Sequence, residues 1–395
     1  MISMSQRIAR LPSYKMNELA ASKKRLEAAG RTVLDLGAGD ADFPPPAIAT
    51  AALHEALSDP AMSRYAFQVG LLEFRQAVAR YMKRRFDVVV DPVTEVLPLI
   101  GSKNGLAHLP LAVCNRGDVC VIPEPGYPGY MGAYLADADV ERYQLREEQA
   151  FLLELADIPA ARLAKTRLVF MNYPNNPTTA VAPVDFLERT IEICRRHEIV
   201  LAYDNPYCEL TFDGYRAPSI LQLPGARDVT LEFHSFSKSF CMTGWRLGWA
   251  VGSAELIALL SKVKSYVDTG VFLAIQRAGA VVLDQAESLI DPLVRQFEER
   301  RNIAVAAFNQ AGIAVAAPRA TMYLWLRLPE GVPSAGFAGD LLERDGVLVM
   351  PGSAFGAAGE GYFRIALTVV PERLRDAAVR VGQALSRFRD VGVPA

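Results

Sequence analysis

The sequence lacks any uninterrupted run of about 18 apolar residues, so it predicts no membrane-spanning helix. Its four histidines show no H-x-x-x-H spacing, and its five cysteines contain no C-x-x-C pair. These absences argue against a metal site and against a disulfide framework. The net charge of -2 favours neither nucleic acid nor an anionic membrane as a partner. Because the first ten residues carry no apolar signal segment, we expect a soluble, cytoplasmic protein without a bound metal.

What the sequence does contain is a long alternation of short apolar runs with helical periodicity. Its 395 residues, 51% of them hydrophobic, can bury more than one core. The alternation over 96–252 predicts βαβ units and a mainly parallel sheet, whereas the end of the chain mixes short strands with helices. We predict an N-terminal arm that joins the small domain at 1–46, a large domain at 47–285 and a small C-terminal domain at 286–395.

Each predicted strand of the large domain leads into a loop rich in Gly, Pro, Ser, Asn or Tyr. The predicted strands are 96–100, 119–122, 168–171, 199–203 and 229–233. The carboxyl ends of parallel strands share one edge of a sheet, and open α/β sheets bind ligands at that edge. We therefore expect the residues of these loops to form one site.

Two ionisable residues follow the last two of these strands. Lys238 is predicted to stand on a loop of small hydroxylated residues just past 229–233, where an amine can add to a carbonyl and form a Schiff base. Asp204 follows 199–203 at a place where a carboxylate needs a cationic partner, and a protonated pyridine nitrogen would supply one. A solvated lysine and a loop or capping aspartate are the alternatives.

Further candidates surround the same predicted edge. The Ser102-Lys103 turn lies between a strand and a helix and can hold a phosphate, although such turns are common. Tyr127 can stack on a planar ring or be an ordinary packed tyrosine. Asn176 and Tyr207 offer hydrogen bonds to a phenolic oxygen.

Arg364 interrupts an apolar run near the end of the chain. An arginine there can hold a carboxylate through two parallel hydrogen bonds, with a surface position on an edge strand as the alternative. A Schiff-base lysine, an aspartate for a ring nitrogen, a phosphate cup, a stacking ring and a carboxylate clamp together describe pyridoxal phosphate.

Throughout its length the chain resembles the fold-type-I aminotransferases of class I/II. The resemblance rests on Asn172-Tyr-Pro-Asn-Asn-Pro-Thr178, Asp204-x-x-Tyr207, Ser235-Phe-Ser-Lys238, Arg246 and Arg364, which match in order and spacing. It implies an α/β fold with a mainly parallel, seven-stranded sheet in a large domain and a smaller α+β domain. It also implies pyridoxal phosphate as cofactor and amino transfer from an L-amino acid to a 2-oxo acid.

The resemblance further implies a role for each candidate. Lys238, Asp204 and Tyr207 would be catalytic, with Lys238 joined to the cofactor, Asp204 on the ring nitrogen and Tyr207 on the ring oxygen. The other residues implied to bind the cofactor are Ser102, Lys103, Tyr127, Asn176, Ser235 and Arg246. Arg364 would take the substrate α-carboxylate and Gly39 would line the substrate cleft. Tyr65 would reach the cofactor phosphate of a second subunit, which makes a homodimer the expected functional unit.

Within this group the chain is most similar to bacterial LL-diaminopimelate aminotransferases, through the segments 97–111, 212–219, 232–235 and 242–246. In that branch Tyr14, Lys103 and Asn176 would also face the substrate. The branch usually has acidic residues at the positions of Gln68 and Val69, glutamate at that of Asn104, and a polar amide near Leu273.

These departures bear on the substrate. Diaminopimelate carries a distal ammonium group, and a buried ammonium needs carboxylates or several acceptors. We therefore expect another L-amino acid, with 2-oxoglutarate or pyruvate as the plausible acceptor, and keep diaminopimelate as an alternative. A β/γ-eliminase or cyclase on the same scaffold is a further alternative, because Thr179 and Asn205 alter the surroundings of the cofactor.

Overall fold

A computed structural model describes residues 3–11, 16–67 and 69–390. Its helices are α1 Gln6–Ala9, α2 Met16–Ala28, α3 Ala47–Leu57, α4 Leu72–Phe86, α5 Ser102–Val113, α6 Gly132–Leu135, α7 Ala160–Leu163, α8 Val184–Arg196, α9 Ala226–Val229, α10 Phe236–Ser239, α11 Ala254–Val267, α12 Leu273–Asp284, α13 Ala286–Gln310, α14 Ser334–Asp345 and α15 Pro371–Asp390. Its strands are β1 Leu34–Asp35, β2 Val96–Leu99, β3 Val119–Glu124, β4 Asp139–Gln144, β5 Thr166–Asn172, β6 Val200–Asp204, β7 Thr230–Ser235, β8 Gly248–Gly252, β9 Tyr323–Arg327, β10 Val347–Leu348, β11 Met350–Pro351 and β12 Tyr362–Ala366.

Seven strands form the central sheet in the order β2-β8-β7-β6-β5-β3-β4. Only β8 runs against its neighbours β2 and β7, while the other adjacent pairs are parallel. The predicted α/β fold with a mainly parallel, seven-stranded sheet is therefore confirmed.

Both faces of this sheet are buried, as a sheet with crossover helices on both sides requires. Val169 and Leu201 point to one face, where α4, α8 and α12 pack. Leu168 and Phe170 point to the other face, where α5 and α11 pack. Because successive side chains of a strand alternate between the faces, near-continuous apolar strands supply both cores.

A separate core lies around a smaller antiparallel sheet in the order β11-β12-β9, which α13, α14 and α15 cover. The N-terminal strand β1 pairs in parallel with β10, so Leu34 lies opposite Val347. The beginning of the chain is thus held beside its last third. The domain boundaries at 46/47 and 285/286 stay predictions.

Local details of the fold bear on the site. The helix α5 begins at Ser102, directly after the turn at the strand end. The segment 347–351 holds two short strands that pair with different partners, β10 with β1 and β11 with β12. Lys238 stands in the short helix α10 rather than on a loop. In the described ranges, no helix is both long and apolar enough to cross a membrane.

Candidate active site

The carboxyl ends of β2, β3, β5, β6 and β7 surround a cavity of about 240 Å³. Tyr323, Phe355 and Arg364 close it from the side of the smaller antiparallel sheet. The cavity therefore lies between the central sheet and the smaller antiparallel sheet.

Eleven of the predicted site residues line this cavity. They are Gly39, Ser102, Lys103, Tyr127, Asn176, Asp204, Tyr207, Ser235, Lys238, Arg246 and Arg364. Tyr65 is 73% exposed and lies outside it, and Tyr14 falls outside the described residues. The structure thus brings together residues from distant parts of the sequence, but the role of each stays a prediction.

Lys238 is the amine of the cavity. Ser235 begins the helical turn that carries it, because the Ser235 hydroxyl accepts a hydrogen bond from the backbone N–H of Ser237. The half-buried Lys238 ammonium donates a hydrogen bond to the carbonyl of Gly39. This contact holds the amine inside the cavity against the loop that follows β1.

Asp204 is the last residue of β6 and is fully buried. Its Oδ2 accepts a hydrogen bond of 2.8 Å from the Tyr130 hydroxyl, and Asn172 Nδ2 donates to its carbonyl at 2.7 Å. Its Oδ1 is buried and has no hydrogen-bond partner in the part of the chain that the structure describes. Burial raises the pKa of Asp204 to about 7, although the Tyr130 hydrogen bond opposes the shift. A cationic N–H placed at Oδ1 would satisfy this oxygen and stabilise its charge.

Hydroxyl groups and cations gather at one end of the cavity. They belong to Ser102, Lys103, Ser235, Ser237, Thr243 and Arg246. Gly101 precedes α5 with φ 69°, and a Cβ at that position would lie 2.4 Å from Nη2 of Arg246. The glycine therefore allows the guanidinium to lie against the first backbone N–H groups of the helix. Such a combination of donors and positive charge is suited to a phosphate.

Arg364 lies on β12 and is only 4% exposed. Its Nη1 and Nη2 donate hydrogen bonds of 2.7 Å to Asn176 Oδ1 and to the Gly37 carbonyl. Its guanidinium carbon is 4.0 Å from the ring centroid of Tyr323 and 4.9 Å from that of Phe355. Its Nε is buried and unpartnered within the described residues. Neutral contacts hold this arginine in place, so its charge is left for an anionic ligand.

Several cavity residues were not predicted from the sequence. They include Asn172, Ser237, Thr243, Tyr323 and Phe355. Tyr130, which donates a hydrogen bond to Asp204, was not predicted either. Asn172 lies in the segment 172–178 and Thr243 in the segment 242–246, and both segments carry the family resemblance. Their positions could therefore have identified them as site residues. No local pattern marks Tyr323 or Phe355, because Tyr323 reaches the cavity from the smaller sheet and Phe355 from the turn that follows β11.

Three of the residues that were expected to decide the substrate, Val69, Asn104 and Leu273, do not line the cavity. Asn104 bonds to Lys264, which is fully buried and pairs with Asp268 at 2.9 Å. Leu273 packs in a small apolar cluster, Val69 is exposed, and Gln68 lies outside the described residues. Within one subunit, neither Asn104 nor Leu273 lines the cavity, and their effect on the choice of substrate stays a prediction.

Comparisons with known proteins agree on one family. The family described as aminotransferase class I and II matches residues 31–381. An LL-diaminopimelate aminotransferase of Aquifex aeolicus is 44% identical over 382 residues, which cover 96% of this chain and 99% of that protein. One of Nitratidesulfovibrio vulgaris is 45% identical over 381 residues, with 96% and 98% covered.

Solved structures show the same similarity. Apo-BacF from Bacillus subtilis superposes with a TM-score of 0.93 at 32% identity, over 97% of this chain and 98% of that one. A probable N-succinyldiaminopimelate aminotransferase from Thermus thermophilus superposes with a TM-score of 0.89 at 38% identity, over 93% and 99%.

Proposed function

Because the chain belongs to the class I and II aminotransferases, it is a pyridoxal-phosphate-dependent transaminase, and we propose that Lys238, Asp204 and Arg364 form the centre of its active site. It moves an amino group from an amino acid to a 2-oxo acid. One observation carries the assignment of residues: the Lys238 amine, the unpartnered oxygen of Asp204 and the Arg364 guanidinium converge on a single cavity.

The residues of the cavity fit the cofactor. The bound cofactor supplies a carbonyl carbon for the amine and a ring that withdraws electrons from the reacting carbon. Asp204 would hold the ring nitrogen, and Tyr127 would stack on the ring. Asn176 and Tyr207 would bind the ring oxygen, since Asn176 Oδ1 is already engaged by Arg364 and its amide nitrogen is left as the donor. Ser102, Lys103, Ser235 and Arg246 would hold the phosphate.

Lys238 carries the proton transfer in this proposal. Once the substrate amine has displaced it, its Nζ would take the proton from the substrate Cα and deliver it to the former carbonyl carbon of the cofactor. The Gly39 carbonyl keeps the amine near this path. The negative charge of Asp204 would keep the ring nitrogen protonated, and the positive ring would stabilise the negative charge that develops on the substrate Cα.

Arg364 would fix the substrate through its α-carboxylate. A guanidinium can form two parallel hydrogen bonds with a carboxylate, and the Tyr323 and Phe355 rings limit how far it can turn. Holding the α-carboxylate would help to orient the substrate Cα–H bond toward Lys238. This orientation would reduce the entropic cost of reaching the transition state.

A homodimer is the proposed functional unit. An exposed apolar surface supports it, formed by Tyr65, Phe67, Val69, Leu72, Tyr266, Val267 and Phe272. Its two segments touch, because a Cβ on Gly270 would meet the carbonyl oxygen of Phe67 at 1.9 Å. Patches of this kind on a large protein commonly mark an interface. Tyr65, which stands on this surface, would reach the phosphate of the partner's site.

The identities of the amino donor and of the 2-oxo acid acceptor are also part of the proposal. We favour an L-amino acid donor with 2-oxoglutarate or pyruvate as acceptor. LL-diaminopimelate is the second candidate, because relatives at 44–45% identity carry that name. Asn104 and Leu273 do not argue against it within one subunit, since neither lines the cavity. A cytoplasmic location stays a prediction.

A single screen tests the reaction and the donor together. Purified holoenzyme is incubated with individual L-amino acids or LL-diaminopimelate and with 2-oxoglutarate or pyruvate, and both the new amino acid and free ammonia are measured. We expect glutamate or alanine to form in equal amount to the 2-oxo acid released. Ammonia without a new amino acid would contradict transfer and indicate elimination.

A further inference from the structure

Tyr323 is a cavity residue that carries no role in the proposed mechanism. It is the first residue of β9 and is 2% exposed. Its hydroxyl lies 3.0 Å from the hydroxyl of Tyr207, which is also buried. The same hydroxyl occupies the space beside Gly39, because a Cβ on Gly39 would lie 2.1 Å from it. The backbone at Gly39 thus limits where the Tyr323 side chain can lie. The Tyr323 hydroxyl bonds to Tyr207, which is proposed to bind the cofactor.

The direction of the bond between the two tyrosines follows from counting donors. A phenol hydroxyl has one hydrogen to donate and two lone pairs that can accept. Tyr207 is proposed to donate its hydrogen to the ring oxygen of the cofactor. It then has none left for Tyr323, so in the loaded site the bond of 3.0 Å must run from Tyr323 to Tyr207.

The surrounding charges favour the same direction. Burial alone raises the pKa of Tyr323, but the positive charges of Lys238 and Arg364 act against burial, and the pKa is lowered. Burial raises the pKa of Tyr207 well above its usual value. The negative groups that face the pair are Asp40, on the side of Tyr323, and Asp204, on the side of Tyr207. The more acidic hydroxyl is the better donor, and that hydroxyl belongs to Tyr323.

We propose that Tyr323 is a positioning residue that donates a hydrogen bond to Tyr207 and so directs the Tyr207 hydroxyl at the ring oxygen of the cofactor. The inference rests on the proposed role of Tyr207. Hydrogen bonds in a chain polarise one another, so Tyr207 becomes a stronger donor than it would be alone. The Arg364 guanidinium over the Tyr323 ring keeps that ring in the required orientation.

The test is the pH dependence of the visible absorbance of substrate-free holoenzyme. A donor to the ring oxygen stabilises its anionic form, so losing the donor raises the pH midpoint of the absorbance change. We expect Tyr207→Phe to raise the midpoint most and Tyr323→Phe to raise it by roughly half to one pH unit. The double variant should match Tyr207→Phe alone, because Tyr323 acts through Tyr207.

Tyr362→Phe is the matched control. It removes a hydroxyl from the same antiparallel sheet, but that hydroxyl bonds to Glu147 at 2.7 Å outside the cavity, so the midpoint should not move. Thermal unfolding checks that each variant folds. If Tyr323→Phe fails to fold, Gly39→Ala, whose methyl group displaces the Tyr323 hydroxyl, must raise the midpoint instead; an unchanged midpoint counts against the inference.

The outcomes separate this inference from the proposed function. A shift in Tyr207→Phe without one in Tyr323→Phe overturns the role of Tyr323 and leaves the proposed function intact. Shifts that add in the double variant also overturn it, because Tyr323 would then act independently. No shift in Tyr207→Phe overturns both the placement of Tyr207 at the ring oxygen and the inference.

Discussion

The Tyr130 hydroxyl donates a hydrogen bond of 2.8 Å to Oδ2 of Asp204, while Oδ1 of the same carboxylate is buried without a partner in the described chain. Tyr130 is held by its stacking on Phe170, at 4.9 Å between ring centroids. One oxygen is thereby fixed, and the other belongs to a side chain that lines the cavity. A buried carboxylate in this state destabilises the protein until a cation reaches it.

Asp204 should make the stability of the cofactor-free protein depend on pH. Its pKa is about 7 in the fold, above the usual 3.8, so between about pH 4 and 7 the folded chain binds more protons than the unfolded one. The contribution of Asp204 to stability therefore falls as pH rises through this window. Asp204→Asn cannot titrate, and we expect the difference in unfolding free energy between the wild type and the variant to fall by roughly 2–4 kcal/mol.

Urea unfolding of both proteins across this window measures that difference. Other titrating groups are common to the two chains and cancel in the comparison. Saturation with pyridoxal phosphate should remove the trend from the wild type, because the ring nitrogen then pairs with Asp204. If the unfolding free energies of the two cofactor-free proteins change with pH in the same way, the raised pKa of Asp204 would be contradicted.

Arg364→Lys should weaken substrate binding. A lysine ammonium cannot form two parallel hydrogen bonds with the α-carboxylate, and it leaves Asn176 Oδ1 without its donor. Loss of a buried charge-assisted pair costs about 2–4 kcal/mol, so kcat/KM for the amino donor should fall by roughly 30- to 1000-fold.

Steady-state kinetics with the best donor from the screen measures this effect. Arg327→Lys is the control, because Arg327 lies on the neighbouring strand with its side chain 72% exposed and paired to Glu147. Its kinetics should be unchanged. An Arg364→Lys enzyme with full kcat/KM would show that another group holds the carboxylate.

Asn104→Glu should change stability rather than substrate choice. The Asn104 side chain bonds to Lys264 and Asp268, away from the cavity. Burial lowers the pKa of Lys264 and the Asp268 ion pair opposes it, so this lysine is held by its anionic partner. A glutamate at position 104 adds a second anion to the same lysine. We expect the ratio of kcat/KM values for two amino donors to stay within about twofold of the wild type.

Lys264→Met is the companion variant, because it removes the cation that Asn104 and Asp268 share. Breaking a buried pair from one side costs about 3–5 kcal/mol, which denaturant unfolding would detect. If Asn104→Glu instead shifts preference toward LL-diaminopimelate, position 104 does act on the substrate, and the contacts described for one subunit are insufficient to explain it.

The sequence was most informative at strand ends. Asp204 and Ser235 end apolar runs, and parallel strands carry such ends to one edge whatever the details of their loops. The short helix around Lys238 was not foreseen, since a single turn of four residues leaves almost no periodicity to recognise.

Asn104 is near the cavity residues in sequence but not in the fold. It follows Ser102 by two positions, and its identity was expected to bear on the substrate. Because α5 begins at Ser102, two residues correspond to a rotation of about 200° around the helix axis, which points Asn104 toward α11. Tyr323 shows the converse. It lies 116 positions from Tyr207, and only the packing of the two sheets makes them neighbours.

The most direct test of the central claim is to locate the covalent link between the cofactor and the chain. Holoenzyme is reduced with borohydride and digested, and the peptides are analysed by mass spectrometry. We expect the reduced cofactor on Lys238, none on Lys103, which also lines the cavity, and no turnover by Lys238→Ala. Cofactor found on another lysine, or an active Lys238→Ala enzyme, would contradict it.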